Sequence, residues 1–197
     1  MDVVLKKNQG ALSLKIISRY VRFIDSLNEH IGRLASWLVL GCVLTCFLVV
    51  LLRYAWNTGF VWMQELYVWQ HALVFMLGAG YTLLHERHVR VDVFYSKLSP
   101  RGQAWINLLG TLVFLWPWLI IVSYYGWPYI TSSWQLLENS PESGGLPGYF
   151  LLKTVIYVFC GLLLLQSLAT ICRSLLLIVT GRELPLIRSI KSGQENE

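Results

Sequence analysis

Charge is absent from four long stretches of this chain, and that absence is its most informative property. The stretches contain no Asp, Glu, Lys or Arg, and they cover residues 34–52, 66–84, 105–130 and 154–172. Each is close to or above the ~20 apolar residues that a helix needs to cross a bilayer. None of them alternates apolar and polar residues, which argues against membrane-spanning strands. The sequence therefore predicts an all-α membrane protein with four transmembrane helices, which we expect to be tilted.

Ionisable residues are also scarce inside the predicted spans, where His71 is the exception. Gln166 is the other strongly polar side chain that we place at membrane depth. Ion and solute paths through membranes are usually marked by such residues. Their scarcity argues against a transport path within this chain and indicates a protein that assists transport.

Cysteine is absent from residues 54–65 and 131–153, the two loops that we place outside the membrane. The four cysteines all lie within or beside the predicted spans: Cys42, Cys46, Cys160 and Cys172. An exposed disulfide is therefore not expected. This distribution argues against a membrane thiol oxidoreductase.

Positive charge is distributed unevenly along the chain. All but two of the 16 Lys and Arg residues precede the first stretch, separate the second from the third, or follow the fourth. The exceptions, Arg53 and Lys153, flank the other two loops. Basic loops stay in the cytoplasm, so both termini are predicted to be cytoplasmic in a bacterial inner-membrane protein. The net charge of +5 is explained by topology and membrane lipids, and no nucleic-acid partner is expected.

The N-terminal segment carries apolar residues every three or four positions, with basic residues on other faces. The apolar set is Leu12, Ile16, Tyr20, Phe23, Leu27 and Ile31. This pattern predicts an amphipathic helix lying in the cytoplasmic interface, and the alternative is a cytoplasmic extension of the first span. No cleavable signal is indicated. We expect a segment 1–33 with this helix, a four-helix domain 34–180 and a polar tail 181–197.

Local signals mark several helix ends. Ser99 before Pro100 predicts a helix start, Gly181 predicts the end of the fourth helix, and residues 57–59 predict a turn between the first two spans. The third span is longer than the bilayer requires, and Pro117 and Pro128 are predicted kink sites.

Histidines raise the possibility of haem or metal. His71 lacks a second histidine at matching depth on another span, so we expect it to be a hydrogen-bonded packing residue. His85 and His88 are three residues apart, whereas a zinc-protease helix places its histidines four apart. No cofactor, metal or catalytic centre is expected.

Glu65 begins the second span, near the end of the first span at Arg53. An ion pair between them is predicted, with Lys153 as another possible partner for Glu65. At a membrane interface such a pair fixes helix position and is more often structural than catalytic.

Three segments carry a resemblance to a known family. They are Arg53-Tyr54, Trp62-Met63-Gln64-Glu65-Leu66 and His88-Val89-Arg90-Val91-Asp92. Across residues 35–173 the chain resembles the small membrane (Q) subunit of tripartite ATP-independent periplasmic (TRAP) transporters.

The resemblance implies two protein partners, a large membrane subunit and a periplasmic substrate-binding protein. It further implies sodium-coupled import of an organic acid, with this subunit bracing the large one. Residues 144–147, Tyr149, residues 151–153 and Gln166 resemble a longer version of the subunit, which implies a lean towards 2-oxo acids or related carboxylates. The alternatives are a haem- or quinone-binding redox subunit and a self-sufficient small transporter working as an oligomer.

The resemblance also assigns residues to roles at the two ends of the spans. Arg53, Trp62 and Glu65 would organise the outer end of the first helix pair. His88, Arg90 and Asp92 would hold the cytoplasmic loop against lipid headgroups or the large subunit. For each of these residues, and for Lys153, the alternative is a purely structural role within this subunit.

Overall fold

The protein is built from helices and short connections. The structure, a computed structural model, describes residues 2–85, 95 and 97–181, and for residues 2–14 we describe the backbone alone. Its elements are α1 (Asp2–Ala55), α2 (Val61–Leu84), α3 (Pro100–Gly110), a π-helical turn (Thr111–Leu115), α4 (Trp116–Gln135) and α5 (Tyr149–Thr180). No strand occurs among these described residues, which confirms the all-α prediction.

Three of the described helical segments are long and apolar enough to cross a membrane. They are Lys15–Ala55, Pro100–Gln135 and Tyr149–Thr180. The second predicted span also forms a helix, the 24-residue α2. It is long enough to cross a membrane, but it is less apolar than the three helices above. Its first half contains Gln64, Glu65, Gln70 and His71, which lower its hydropathy. The helix is confirmed, and a fourth crossing stays a prediction.

The N-terminal segment is not a separate helix. α1 runs without interruption for 54 residues, or about 80 Å at 1.5 Å per residue. Its N-terminal half turns Val21 and Ile24 towards Ala169 of α5, and all three are buried. A helix packed in this way continues the axis of the first span. The alternative, an extension of the first span, therefore describes the backbone, and the position of this segment at the membrane interface stays a prediction.

The predicted helix ends are present. The Ser99 hydroxyl accepts a hydrogen bond from the Gly102 N–H at 3.3 Å, and Pro100 occupies the first helical position of α3. Gly181 has a φ of 65° and closes α5 by donating its N–H to the Leu177 carbonyl at 2.9 Å. Residues 57–60 link α1 to α2 outside any helix, which confirms the predicted turn.

The long third helix is irregular close to Pro117. Proline has no N–H to donate, so the Val113 carbonyl loses its ordinary helical partner. A π-helical turn ends at Leu115, and the Trp116 N–H donates to the Thr111 carbonyl five residues earlier. The irregular hydrogen bonding thus lies in the turn before Pro117. This position is expected when a π-helical turn accommodates the hydrogen bond that proline cannot make. Pro128, in contrast, lies inside α4, which remains helical to Gln135.

α5 is the central helix of the bundle. It packs against α1, α2, α3 and α4. Its Phe159, Cys160 and Leu163 form one core cluster with Leu119 of α4. In the most apolar part of α1, in contrast, only 6% of the residues are buried, so the described chain leaves this part of the helix largely uncovered.

Candidate functional site

Two groups of polar contacts join the helices, one at each end of the bundle. We call the end that carries the connections 56–60 and 136–148 the loop end. We call the opposite end, where α3 begins and α5 finishes, the terminal end. Four of the seven site residues predicted from the sequence lie at the loop end: Arg53, Trp62, Glu65 and Lys153.

Glu65 holds the 136–148 connection onto the start of α2. Its Oε2 accepts a hydrogen bond from the Leu146 N–H at 2.6 Å, and its Oε1 accepts one from the Ser140 hydroxyl. Gly145 is required beside it, because a Cβ at that position would lie 2.7 Å from Glu65 Oε2. The carboxylate is therefore satisfied by hydrogen-bond donors of the loop. The predicted ion pairs of Glu65 with Arg53 or Lys153 are wrong.

Lys153 forms an ion pair with Glu138 instead. Its Nζ donates to Glu138 Oε2 at 2.5 Å and lies 4.0 Å from the centroid of the Tyr129 ring. The Ser133 hydroxyl donates to the same Glu138 oxygen at 2.6 Å. The hydrogen bond from Lys153 is the main cause that lowers the pKa of Glu138 below its ordinary value. This group fastens the 136–148 connection to α4 and α5.

Arg53 and Trp62 remain exposed at the loop end. Within the described residues Arg53 makes no ion pair or hydrogen bond, although it lies at the end of α1 beside the link to α2. Trp62 is 43% exposed, and its ring lies 6.2 Å from that of Phe60. The structure thus divides the predicted outer residues: Glu65 and Lys153 act within the chain, and Arg53 and Trp62 face outwards. His88, Arg90 and Asp92 lie outside the described residues.

The terminal end contains a polar cluster that the sequence reading missed. The Arg173 guanidinium donates to Asp25 Oδ2, which joins α5 to α1. Gln166 of α5 bridges two residues of α1, since its Nε2 donates to Asp25 Oδ1 at 3.3 Å and its Oε1 accepts from Asn28 Nδ2 at 2.7 Å. Asn28 and Gln166 are both fully buried. We call Asp25, Asn28, Gln166 and Arg173 the polar clamp.

The polar clamp also reaches α2 through Gly80. A Cβ at this position would lie 2.1 Å from Asn28 Oδ1, so the amide occupies the space that any other side chain would need. A second contact nearby joins the same two helices, because Glu29 of α1 pairs with His85 at 2.8 Å. Polar contacts therefore connect α1, α2 and α5 close to the terminal end.

A sequence signal for the polar clamp exists. Gln166 and Arg173 are seven residues apart on α5, and Asp25 and Asn28 are three apart on α1. These spacings place each pair on one helix face. The sequence identifies Gln166 as a polar residue at membrane depth, but its partners lie in the segment predicted to form a separate interfacial helix.

His71 is not the packing residue that was expected. Its side chain is exposed on α2, and it makes no hydrogen bond within the described residues. The described residues also contain no group of three His, Cys, Asp or Glu side chains arranged to hold a metal ion.

The fold, with its several long apolar helices, defines an integral membrane protein. Residues 41–177 match the family model described as "Tripartite ATP-independent periplasmic transporters, DctQ component". The match covers more than half of the chain, which belongs to this family, the small membrane component of TRAP transporters. The family is one of transporter components and not of enzymes. No curated protein and no solved structure matches the chain.

Proposed function

We propose that this chain is the scaffold that braces the large membrane subunit of a TRAP transporter. The transporter would import an organic acid, delivered by a periplasmic binding protein and driven by a sodium gradient. Family membership supports the class of transporter. The observation that carries the scaffold role is the position of the two ion pairs formed by α5, Asp25–Arg173 and Lys153–Glu138, which lie towards opposite ends of that helix. Between them the helices pack mainly through apolar side chains.

Such an arrangement suits a brace better than a transport path. A path for sodium or a carboxylate needs oxygen ligands or cationic groups in the middle of the membrane. In this chain the buried polar groups of the clamp are used to hold helices together. A scaffold needs fixed helix positions and outward faces for its partner, and both are available here.

The proposed topology places the terminal end in the cytoplasm and the loop end in the periplasm. It follows from the basic residues, which concentrate near the terminal end and in the two termini. α2 would be the fourth crossing, since its short link to α1 returns the chain to the other side. The exposed Arg53 and Trp62 would then face the periplasmic side, where the binding protein docks. His88, Arg90 and Asp92 would contact lipid headgroups or the large subunit on the cytoplasmic side.

The test is reconstitution of the transporter in vesicles with an imposed sodium gradient. A panel of radiolabelled 2-oxo acids and dicarboxylates would be offered with the matching binding protein. Uptake should require this chain, the large subunit and the binding protein together, and it should stop when any one is omitted. Sodium-driven uptake by this chain alone would refute the scaffold role and favour the small-transporter alternative. A strong Soret absorption of the purified chain would instead favour the redox alternative.

A further inference from the structure

One face of α2 is left uncovered by the described chain. Val68, His71, Phe75 and Gly78 recur at spacings of three and four residues and therefore lie along one stripe of the helix. Val68 is 50% exposed and Phe75 is 67% exposed. Gly78 has no neighbouring atom within 4 Å of the position of a Cβ. We call these four residues the α2 stripe.

The packing of α2 on α1 places His71 at the middle of an apolar stretch. Gln70 lies beside Gly41, whose Cβ position is 3.4 Å from Gln70 Nε2. The Cys42 thiol lies 3.5 Å from the Tyr67 carbonyl. Gly41 and Cys42 are near the centre of the charge-free residues 34–52 of α1. His71, the neighbour of Gln70, is therefore level with the middle of that stretch.

An imidazole in this position needs a hydrogen-bonding partner. The neutral ring has one donor and one acceptor nitrogen, and lipid chains satisfy neither. Ionisable residues within membrane helices almost always face protein or water and pair with another polar group. His71 has no such partner among the described residues. The missing partner must come from outside this part of the chain.

The rest of the stripe has the shape of a helix-docking surface. An open glycine lets a second helix approach the backbone closely, as small residues do in membrane helix pairs. Phe75, one turn before Gly78 in the sequence, projects outwards and gives that helix an apolar side chain to pack against. The combination offers close approach, apolar contact and one polar group on a single face.

We propose that the α2 stripe docks against a membrane helix of the large TRAP subunit. That helix would present a hydroxyl, amide or carboxyl group to His71 and a groove to Phe75. The inference rests on the proposed function, which supplies the large subunit as the partner. It adds the face through which the two subunits meet and the chemistry of the residue opposite His71.

Photocross-linking in the co-expressed complex tests the face. A benzophenone amino acid would replace Phe75 and, as matched controls, the exposed Phe47 of α1 and Phe114 of the π-helical turn. We expect an adduct with the large subunit from position 75 and none, or far less, from positions 47 and 114. Adducts from a control position but not from 75 would overturn the proposal while leaving the large subunit as partner. An adduct of two copies of this chain, or lipid adducts alone, from position 75 would also overturn it.

Substitution of His71 tests the chemistry. His71→Leu should lower recovery of the large subunit with this chain by about threefold to twentyfold, the range expected for one interhelical hydrogen bond in a membrane. His71→Gln keeps a donor and an acceptor and should recover most of the association. Val43→Leu on the exposed face of α1 serves as the control for added apolar bulk. Unchanged recovery with His71→Leu would contradict the proposal, since a lipid-facing leucine is favourable. If the wild-type chain itself recovers no large subunit, the proposed function fails first.

Discussion

Asp25 of α1 and Arg173 of α5 form an ion pair across 148 residues of sequence. Each side chain is only 13% exposed. The pair lies within the polar clamp, where Gln166 also contacts Asp25. Because α5 also packs on α2, α3 and α4, this contact fixes the N-terminal half of α1 to the centre of the bundle. The four side chains of the polar clamp thus help to hold α1 against α5.

Removal of one partner of this pair should cost more than removal of both. Asp25→Leu leaves the Arg173 guanidinium buried without its counter-ion, and breaking a buried pair in this way costs about 3–5 kcal/mol. The double variant Asp25→Leu with Arg173→Leu should be clearly more stable than either single variant. Thermal unfolding in detergent, followed by circular dichroism, measures the three variants. Additive losses in the double variant would show that the two side chains do not act as a pair.

Two glycines of α2 should respond oppositely to alanine. Gly80→Ala places a Cβ 2.1 Å from Asn28 Oδ1, and we expect a loss of about 1–3 kcal/mol from the forced shift. Gly78→Ala, two residues earlier, meets open space and should stabilise the isolated chain by up to about 1 kcal/mol through helix propensity. In the double variant, Asn28→Ala should relieve much of the stability loss that Gly80→Ala causes, because it removes the clashing amide. The comparison uses the thermal unfolding of the chain purified without its partners, and equal effects of the two alanines would contradict the packing described.

The 136–148 connection should loosen when Glu65 is replaced. Glu65→Ala removes the acceptor of the Leu146 N–H and of the Ser140 hydroxyl, so amide exchange in this connection should accelerate at least severalfold, most of all at Leu146. Arg53→Ala, on the neighbouring end of α1, is the control and should leave these amides unchanged. Hydrogen–deuterium exchange with mass spectrometry measures both variants. If Arg53→Ala accelerated exchange equally, the sequence-based pairing of Arg53 with Glu65 would have to be reinstated.

The helices and their ends were largely predictable because their signals are local. A run without charge, a serine before a proline and a glycine after an apolar stretch each act within a few residues. The length of α1 was not predictable in the same way. The amphipathic pattern before residue 34 is compatible both with a membrane surface and with a neighbouring helix. In the structure, Val21 and Ile24 pack against Ala169 of α5, whereas Ile16, Tyr20 and Phe23 of the predicted apolar face are exposed within the described chain.

The polar partners were less predictable because they depend on loop geometry. Proximity in sequence favoured Arg53 as the partner of Glu65, but the 136–148 connection supplies backbone and hydroxyl donors at that carboxylate instead. Lys153 was considered for the same glutamate, yet the turn after α4 brings Glu138 closer to it. Helix periodicity could not predict the partner of Glu65 or of Lys153, since both partners depend on how the 136–148 connection folds. The charges were assigned to the correct end of the bundle but to the wrong partners.

The Glu138–Lys153 pair should make the loop end sensitive to acid. The pKa of Glu138 is lower in the folded chain than its ordinary value, so the pair's contribution to stability is complete above the ordinary carboxyl range. It is lost as the pH falls from roughly 4.3, the ordinary pKa of a glutamate, through the lower folded value. Exchange of the Phe150 N–H, which donates to the Glu138 carbonyl at 3.4 Å, reports on this contact. After correction for the intrinsic pH dependence of exchange, protection should fall across this acid window in the wild type.

Glu138→Gln isolates this contribution from the other carboxylates. The amide still accepts a hydrogen bond from Ser133 or Lys153 but does not titrate, so protection of Phe150 should be lower near neutral pH and almost independent of pH below it. Glu142→Gln removes another carboxylate of the same connection that forms no ion pair within the described residues. That control should keep the wild-type acid response. An acid response that persisted in Glu138→Gln and vanished in Glu142→Gln would assign the titration to the wrong glutamate and sink the prediction.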